Sequence, residues 1–544
     1  MRPTFLALVV AAICAPRTSS ALDLALLHGY DGTVLNAQFG ISCAVVGDMD
    51  GDGFAEFAIG AGSDSTAGSG AGRVFIYLGG PAHVSSGPAW VISGQPGDLL
   101  GTALAAAGDV DGDGYADLLI GAPGSLDMSP NATGRVLLIR GSRPLGARAP
   151  VSMPGPIARG HFGAAVAGLS VFNGDPYSDF AVGAPEANNG AGEVIVYLGG
   201  PSAPTSPALV LHGRTSGDSY GASIAGAGRT RGGSYADLLV GAPFNSDQTI
   251  WAGKTYLYLG GAAPDSAVDR SWTGVAAGDF FGTSVAGAGD VNGDGRDDIL
   301  VGAPGANSGS LLDAGRAYLF LGNPIPPLSP ALSITGSLAN DELGLSTAGI
   351  GDVNGDGYSD FAVGAPGSAD SNVVGEARVF LGRAAPTALA DTLLSGEAGG
   401  DMFGHTISNG GLVYAGSHAL FLVGGYLHAG TGRAYLYGSS VATVGVPADG
   451  QPKAPGVRLA PPWPDPAGAD PHFALDLERP APVRLEIVDV GGRRVAVLAD
   501  GGLPAGHHEY RWAEIGAPAH PGLYWLVLES GGVRAARRFV LLGR

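Results

Sequence analysis

Six nearly continuous apolar runs punctuate the chain at a steady spacing. They read FAEFAIGAG (54–62), YADLLIGAP (115–123), YSDFAVGAP (177–185), YADLLVGAP (235–243), RDDILVGAP (296–304) and YSDFAVGAP (358–366), with starts 58 to 62 residues apart. A worn seventh copy, MFGHTISNGGLVYAGSHALFLVGG, occupies 402–425. Short apolar runs bounded by turn residues predict buried strands. A run that alternates apolar with polar follows each one, such as GRVFIYLGG (72–80), GEVIVYLGG (192–200) or GRAYLFLG (315–322). A short small-residue strand precedes it, opened by pairs such as Phe39-Gly40, Phe162-Gly163, Phe281-Gly282 and Phe403-Gly404. A fourth short run closes the unit, as in ALVLHG (208–213) and ALSITG (331–336).

Four strands per unit at this period predict a propeller blade. The ends of the array sharpen this. A fourth-strand segment, LALLHG at 24–29, precedes the first unit, and none clearly follows RAYLYG (433–438) in the last. The N-terminal segment is therefore expected to complete the seventh blade, which removes the free sheet edges of an open array. The fold class expected is all-β: a seven-bladed β-propeller followed by a small β-sandwich.

The Phe-Gly openings and Gly-Ala-Pro endings resemble the FG-GAP repeat of integrin α-chain heads and of many secreted bacterial proteins. The resemblance covers about residue 24 to residue 438, and implies a seven-bladed propeller with calcium in loops between strands. Beyond it lies a Pro/Gly-rich linker, SSVATVGVPADGQPKAPG. The segments VRLEIVDVGGRRV (483–495), LPAGHHEYRW (503–512) and GLYWLVL (522–528) then resemble the immunoglobulin-like C-terminal domains of hook-capping proteins and type IX secretion sorting domains. That likeness implies contact with secretion machinery, although the Asn-Pro-Phe usual near the start is represented only by PPWPDPAG (461–468). A capping β-sandwich without an export role is the other reading.

Composition narrows the function. The formal net charge is −20, and Lys254 and Lys453 are the only lysines, so nucleic acid is not the expected partner. The opening MRPTFLALVVAAICAPRTSSA has the layout of a secretory signal peptide with cleavage after Ala21. Its apolar run is too short to span a membrane, and no other segment is long enough. The expected localisation is secreted or cell surface. Past the signal, Cys43 is the sole cysteine, so no internal disulfide stiffens the exported chain. The domain layout expected is a signal peptide at 1–21, a propeller at 22–440, a linker at 441–456 and an immunoglobulin-like domain at 457–544.

Ahead of four of the apolar runs lies an acidic loop. In DVNGDGYSD, Asp352, Asn354, Asp356 and Asp360 fall at positions 1, 3, 5 and 9, with the backbone carbonyl of Tyr358 at position 7. Hard oxygen donors at this spacing suit calcium. The matching sets are Asp48, Asp50, Asp52, Phe54 and Glu56; Asp109, Asp111, Asp113, Tyr115 and Asp117; and Asp290, Asn292, Asp294, Arg296 and Asp298. About four Ca2+ sites are expected, with solvated acids as the bland alternative. An EF-hand is rejected, because position 12 is Ile59, Ile120, Val301 or Val363 rather than glutamate. The third loop, VFNGDPYSD, starts with Val171 and keeps Asn173, Asp175 and Asp179. The fourth, RTRGGSYAD, carries Arg229 and Arg231 at positions 1 and 3, and an arginine contact to Asp237 is expected in place of a metal.

An enzyme is not expected. The one nucleophile-elbow pattern, GDSYG around Ser219, aligns with the blade openings GDFFG (278–282) and GDMFG (400–404), which lack serine. Asn131-Ala132-Thr133 is read as plain loop. Adhesion or binding of an extracellular protein or glycan is the function expected, since the loops on the face opposite the acidic turns are long and varied. Examples are FNSDQTIWAG (244–253) and GSLDMSPNATG (124–134). Trp251, Phe244 and Tyr426 are candidate contacts there, or else pack between blades. The alternatives are an accessory protein of an extracellular hydrolase or lyase, and a purely structural surface protein.

Overall fold

The computed structural model describes residues 24–439, 457–459, 471–512 and 522–541, apart from 81–83, 125–132, 203, 205, 325, 368–372, 414–417, 478, 490–493 and 531–532. The expected signal peptide, the linker, PPWPDPAG and most of the 124–134 loop, Asn131 included, lie outside the described residues.

Seven four-stranded antiparallel sheets follow one another along the chain. In blade one the strands are Phe39–Gly47, Glu56–Ala61, Arg73–Tyr77 and Trp90–Ser93. Every second strand is buried along its whole length, from Glu56–Ala61 to Asp360–Ala365. Neighbouring blades cover both of its faces, which explains why its sequence does not alternate. The outermost strands are only partly covered: in Leu332–Thr335, Ser333 is exposed and Ile334 buried.

The ring closes as the sequence predicts. Leu24–Asp31 pairs antiparallel with Arg433–Ser439, from Leu24 opposite Ser439 to Asp31 opposite Arg433. This gives blade seven its fourth strand. The first strand of each blade packs on that of the next, and blade one packs on blade seven.

Apolar residues gather between blades rather than at one centre. Leu119, Val136 and Leu138 of blade two, for example, share a cluster with Phe162, Phe180 and Val182 of blade three. The two halves of the repeat motif meet in these seams. A Cβ on Gly60, in the Gly-Ala of blade one, would stand 2.1 Å from the carbonyl oxygen of Gly101, which opens blade two. Only glycine admits so close an approach of backbone. Ser42 Oγ donates to the same oxygen at 2.7 Å. Ser223, Ser284 and Ser346 repeat that bond to Gly282, Gly344 and Gly404.

The described residues past 456 form a small β domain of two sheets, one of three strands and one of four. Phe473, Leu475 and Leu477 from the first sheet share a core with Leu485, Ile487 and Leu526 from the second, with Trp512 buried among them. Among the described residues no helix is long and apolar enough to cross a membrane.

Candidate metal centres

Each acidic loop is the hairpin turn between the first and second strands of its blade. The carboxylate at position 1 organises the turn. Asp352 Oδ1 accepts from Gly355 N at 2.6 Å and Asp356 N at 3.1 Å, and Oδ2 accepts from Gly357 N at 2.9 Å. Asp48, Asp109 and Asp290 wrap their loops in the same way. At position 5, Asp356 Oδ1 accepts from Tyr358 N, and Asp52 Oδ1 from Phe54 N. Gly357, at position 6, has φ +93°, the left-handed region where glycine avoids strain.

Position 9 does a second job. Asp360 is fully buried; its Oδ2 accepts from Val353 N at 2.8 Å and its Oδ1 from Gly382 N at 2.7 Å. It therefore ties the turn to the end of the third strand. Glu56, Asp117 and Asp298 do the same. Asp179 does so in the third loop, and Asp237 makes the equivalent tie in the fourth, taking the Thr230 hydroxyl on the turn side. Burial pushes Asp117, Asp298 and Asp360 up to about 7 and Glu56 to about 8; the backbone bonds oppose the shift, and neighbouring carboxylates add to it.

In the first two loops the acids converge. Carboxylate oxygens of Asp48, Asp50 and Glu56 lie within 4.8 Å of one another, as do those of Asp109, Asp111 and Asp117. Asp52 and Asp113 fall outside those groups. In the fifth and sixth loops the position-3 amides turn to the position-5 acids, Asn292 Nδ2 to Asp294 Oδ2 at 3.1 Å and Asn354 Nδ2 to Asp356 Oδ2 at 2.9 Å. The donor set fits a hard divalent cation: oxygens alone, like charges crowded together, and a buried Asp111 Oδ1 with no hydrogen-bond partner.

The fourth loop holds the expected substitute. Arg231 Nη2 lies 3.3 Å from Asp237 Oδ1, and Thr230 Oγ1 donates to Oδ2 at 2.6 Å. Sequence reasoning missed that the loops form a belt. Ala116 N, at position 8 of the second loop, donates to the position-1 carbonyl of Asp48 at 2.8 Å. Ser178 N to Asp109 O and Ser359 N to Asp290 O repeat the link. The position-7 ring covers the neighbour as well: a Cβ on Gly51 would lie 2.7 Å from Tyr115 Cε1. The recurring Tyr-Ala-Asp and Tyr-Ser-Asp triplets carry that signal.

On the opposite face, Ser219 has φ +50°, but so do its counterparts before each Phe-Gly-like pair, from Gln38 at +59° to Met402 at +58°. The backbone there is a feature of blade openings rather than of a nucleophile. Phe244 and Trp251 are 41% and 52% exposed and cluster with Phe280, at centroid distances of 5.7 and 6.2 Å from it. Tyr426 instead packs edge-on against His405, with centroids 4.6 Å apart.

The FG-GAP repeat model matches residues 39–77, 100–139, 281–320 and 344–380, so the chain carries this repeat. These segments contain the four intact acidic loops. The chain is 30% identical to integrin alpha-5 of Xenopus laevis over 247 residues, which is 44% of this chain and 23% of that protein. It is 33% identical to integrin alpha-PS2 of Drosophila melanogaster over 221 residues, 38% of this chain and 15% of the relative. Against integrin alpha-IIb of Mus musculus it is 44% identical over 110 residues, 19% of this chain and 10% of the relative. The matches thus span less than a quarter of each relative's length.

Proposed function

We propose that this FG-GAP repeat protein is an exported or surface-held, calcium-stabilised propeller that binds an extracellular protein or glycan. The observation that carries the reading is the coincidence of repeat match and acid set: the four matched segments are the four with complete loops. The side chains at positions 1, 3, 5 and 9 and the carbonyl at position 7 would hold the ion. Calcium bound there supplies positive charge that offsets crowded carboxylates. Its role is structural, stiffening a belt whose links already join neighbouring blades.

The ligand surface in this proposal is the aromatic group of Phe244, Trp251 and Phe280. Ile250 and Val275 beside it in sequence are 65% and 76% exposed. Trp251 has φ +53°, at a position where other blades place Gly70, Gly190, Asp313 or Gly430. A bulky side chain in that region is strained by about 1 kcal/mol. Strain retained at an exposed aromatic supports a binding role. The C-terminal domain serves export or anchoring in this reading.

The test is binding of residues 22–544 to glycan arrays and to extracellular matrix proteins in calcium. A saturable ligand lost on replacing Trp251 supports the reading. Turnover of a glycan or ester would contradict it.

A further inference from the structure

Blade two carries a cluster of arginine in a chain poor in cations. Between its third and fourth strands the sequence IRGSRPLGARAP places Arg140, Arg143 and Arg148 within nine residues. Antiparallel topology puts this hairpin on the same face as the acidic loops. Arg140 immediately precedes Gly141, where the corresponding residues of five other blades are Leu78, Leu198, Leu259, Leu321 and Leu381. Arginine has replaced a packing leucine.

All three side chains reach toward acidic loops. Arg148 Nη1 lies 2.8 Å from Asp111 Oδ2 and 2.5 Å from Asp113 Oδ2, so it bridges positions 3 and 5 of the second loop. Arg140 Nη1 is 3.6 Å from the same Asp111 oxygen. Arg143 Nη1 points to the first loop, 3.4 Å from Gly51 O. The side chains of Asp111 and Asp113 are 7% and 17% exposed, so water screens these pairs weakly. The sixth loop has nothing comparable: among the described residues no cation pairs with Asp352 or Asp356. The fifth loop has Arg296 Nη1 3.8 Å from Asp294, with both side chains about a third exposed.

We propose that the 140–148 hairpin is an internal counter-cation for the acidic loops, and that Arg148 competes with the divalent ion for the second loop. The inference rests on the metal reading above. A cation entering the Asp109–Asp117 loop must displace Arg148 from two of its donors and meets the charge of Arg140 as well. The second loop is then the weak site of the four and the sixth a strong one. In return, blade two keeps its acids neutralised when calcium is scarce. The fourth loop shows the same exchange completed, with Arg231 on Asp237 inside the turn.

The experiment is calorimetric titration of calcium into the full chain, wild type against Arg148→Gln, with thermal melts in chelator beside it. Arg148→Gln is expected to tighten one site by about tenfold or more, because a positive charge leaves the site. Arg140→Leu, which restores the repeat residue, tightens it less. In chelator Arg148→Gln melts below wild type, having lost its counter-cation. Adding Asp111→Asn abolishes the gain in affinity and assigns it to the second loop. Calcium affinities unchanged in Arg148→Gln overturn the competition while leaving the metal reading intact. If neither protein takes up calcium, both fall.

Discussion

The carbonyl oxygen of Gly40 lies 2.1 Å from where a Cβ on Gly424 would stand. Gly40 opens the first blade, and Gly424 is the next-to-last residue of the second strand of the last, Phe421–Gly425. Their approach repeats, at the closing seam, the Gly60–Gly101 contact inside the array. Gly424→Ala is therefore expected to destabilise the propeller by about 1–3 kcal/mol through overpacking against backbone. Gly200→Ala, where an added Cβ would meet open space, serves as the control. Denaturant midpoints measure both. An unchanged midpoint for Gly424→Ala would mean that the seam yields freely.

Chelated protein is expected to lose stability as pH rises. The folded-state values near 7 for Asp117, Asp298 and Asp360, and near 8 for Glu56, lie above the ordinary 3.8 and 4.5. Between those limits the folded state holds protons that the unfolded chain has released, so stability falls as pH rises through the window. Melts from about pH 5 to about pH 8 in chelator should decline. With calcium the decline shrinks, since the cation replaces the lost protons. A chelated melting temperature that climbs over this range contradicts the buried-acid picture.

Trp251 offers a separation of stability from binding. Trp251→Gly puts the residue suited to φ +53° at a position where Gly70 and Gly190 already stand in other blades. It is expected to keep or raise the melting temperature while ligand capture falls at least about tenfold, the loss of one anchoring aromatic. Capture that survives intact moves the ligand surface elsewhere.

The strands were legible because their burial is uniform. The second strand of each blade is covered on both faces, so its sequence is a plain apolar run. The closing strand at 24–31 showed itself by a count, one fourth-strand too many before the array and one too few after it. Arg231 on Asp237 was legible because both lie in one nine-residue loop. What stayed hidden depends on distance in sequence. The bond from Gly382 N to Asp360 spans 22 residues, so position 9 read as a ligand and not also as a brace. Arg148 meets Asp111 across 37 residues, and nothing local joins them. Phe280 comes from the following blade to complete the cluster with Phe244 and Trp251. Their exposure, as against the packing of Tyr426 on His405, is a tertiary fact.

Calcium dependence of the fold is the most direct measurement. Thermal melts of the full chain in millimolar calcium and in chelator are compared, with Asp352→Asn/Asp356→Asn as the site control. A site held at about a hundredfold its dissociation constant contributes about 2.7 kcal/mol, and several sites should raise the melting temperature by many degrees. The double substitution should remove part of that gain. Superimposable melts with and without calcium would contradict the assignment of these loops as structural metal centres.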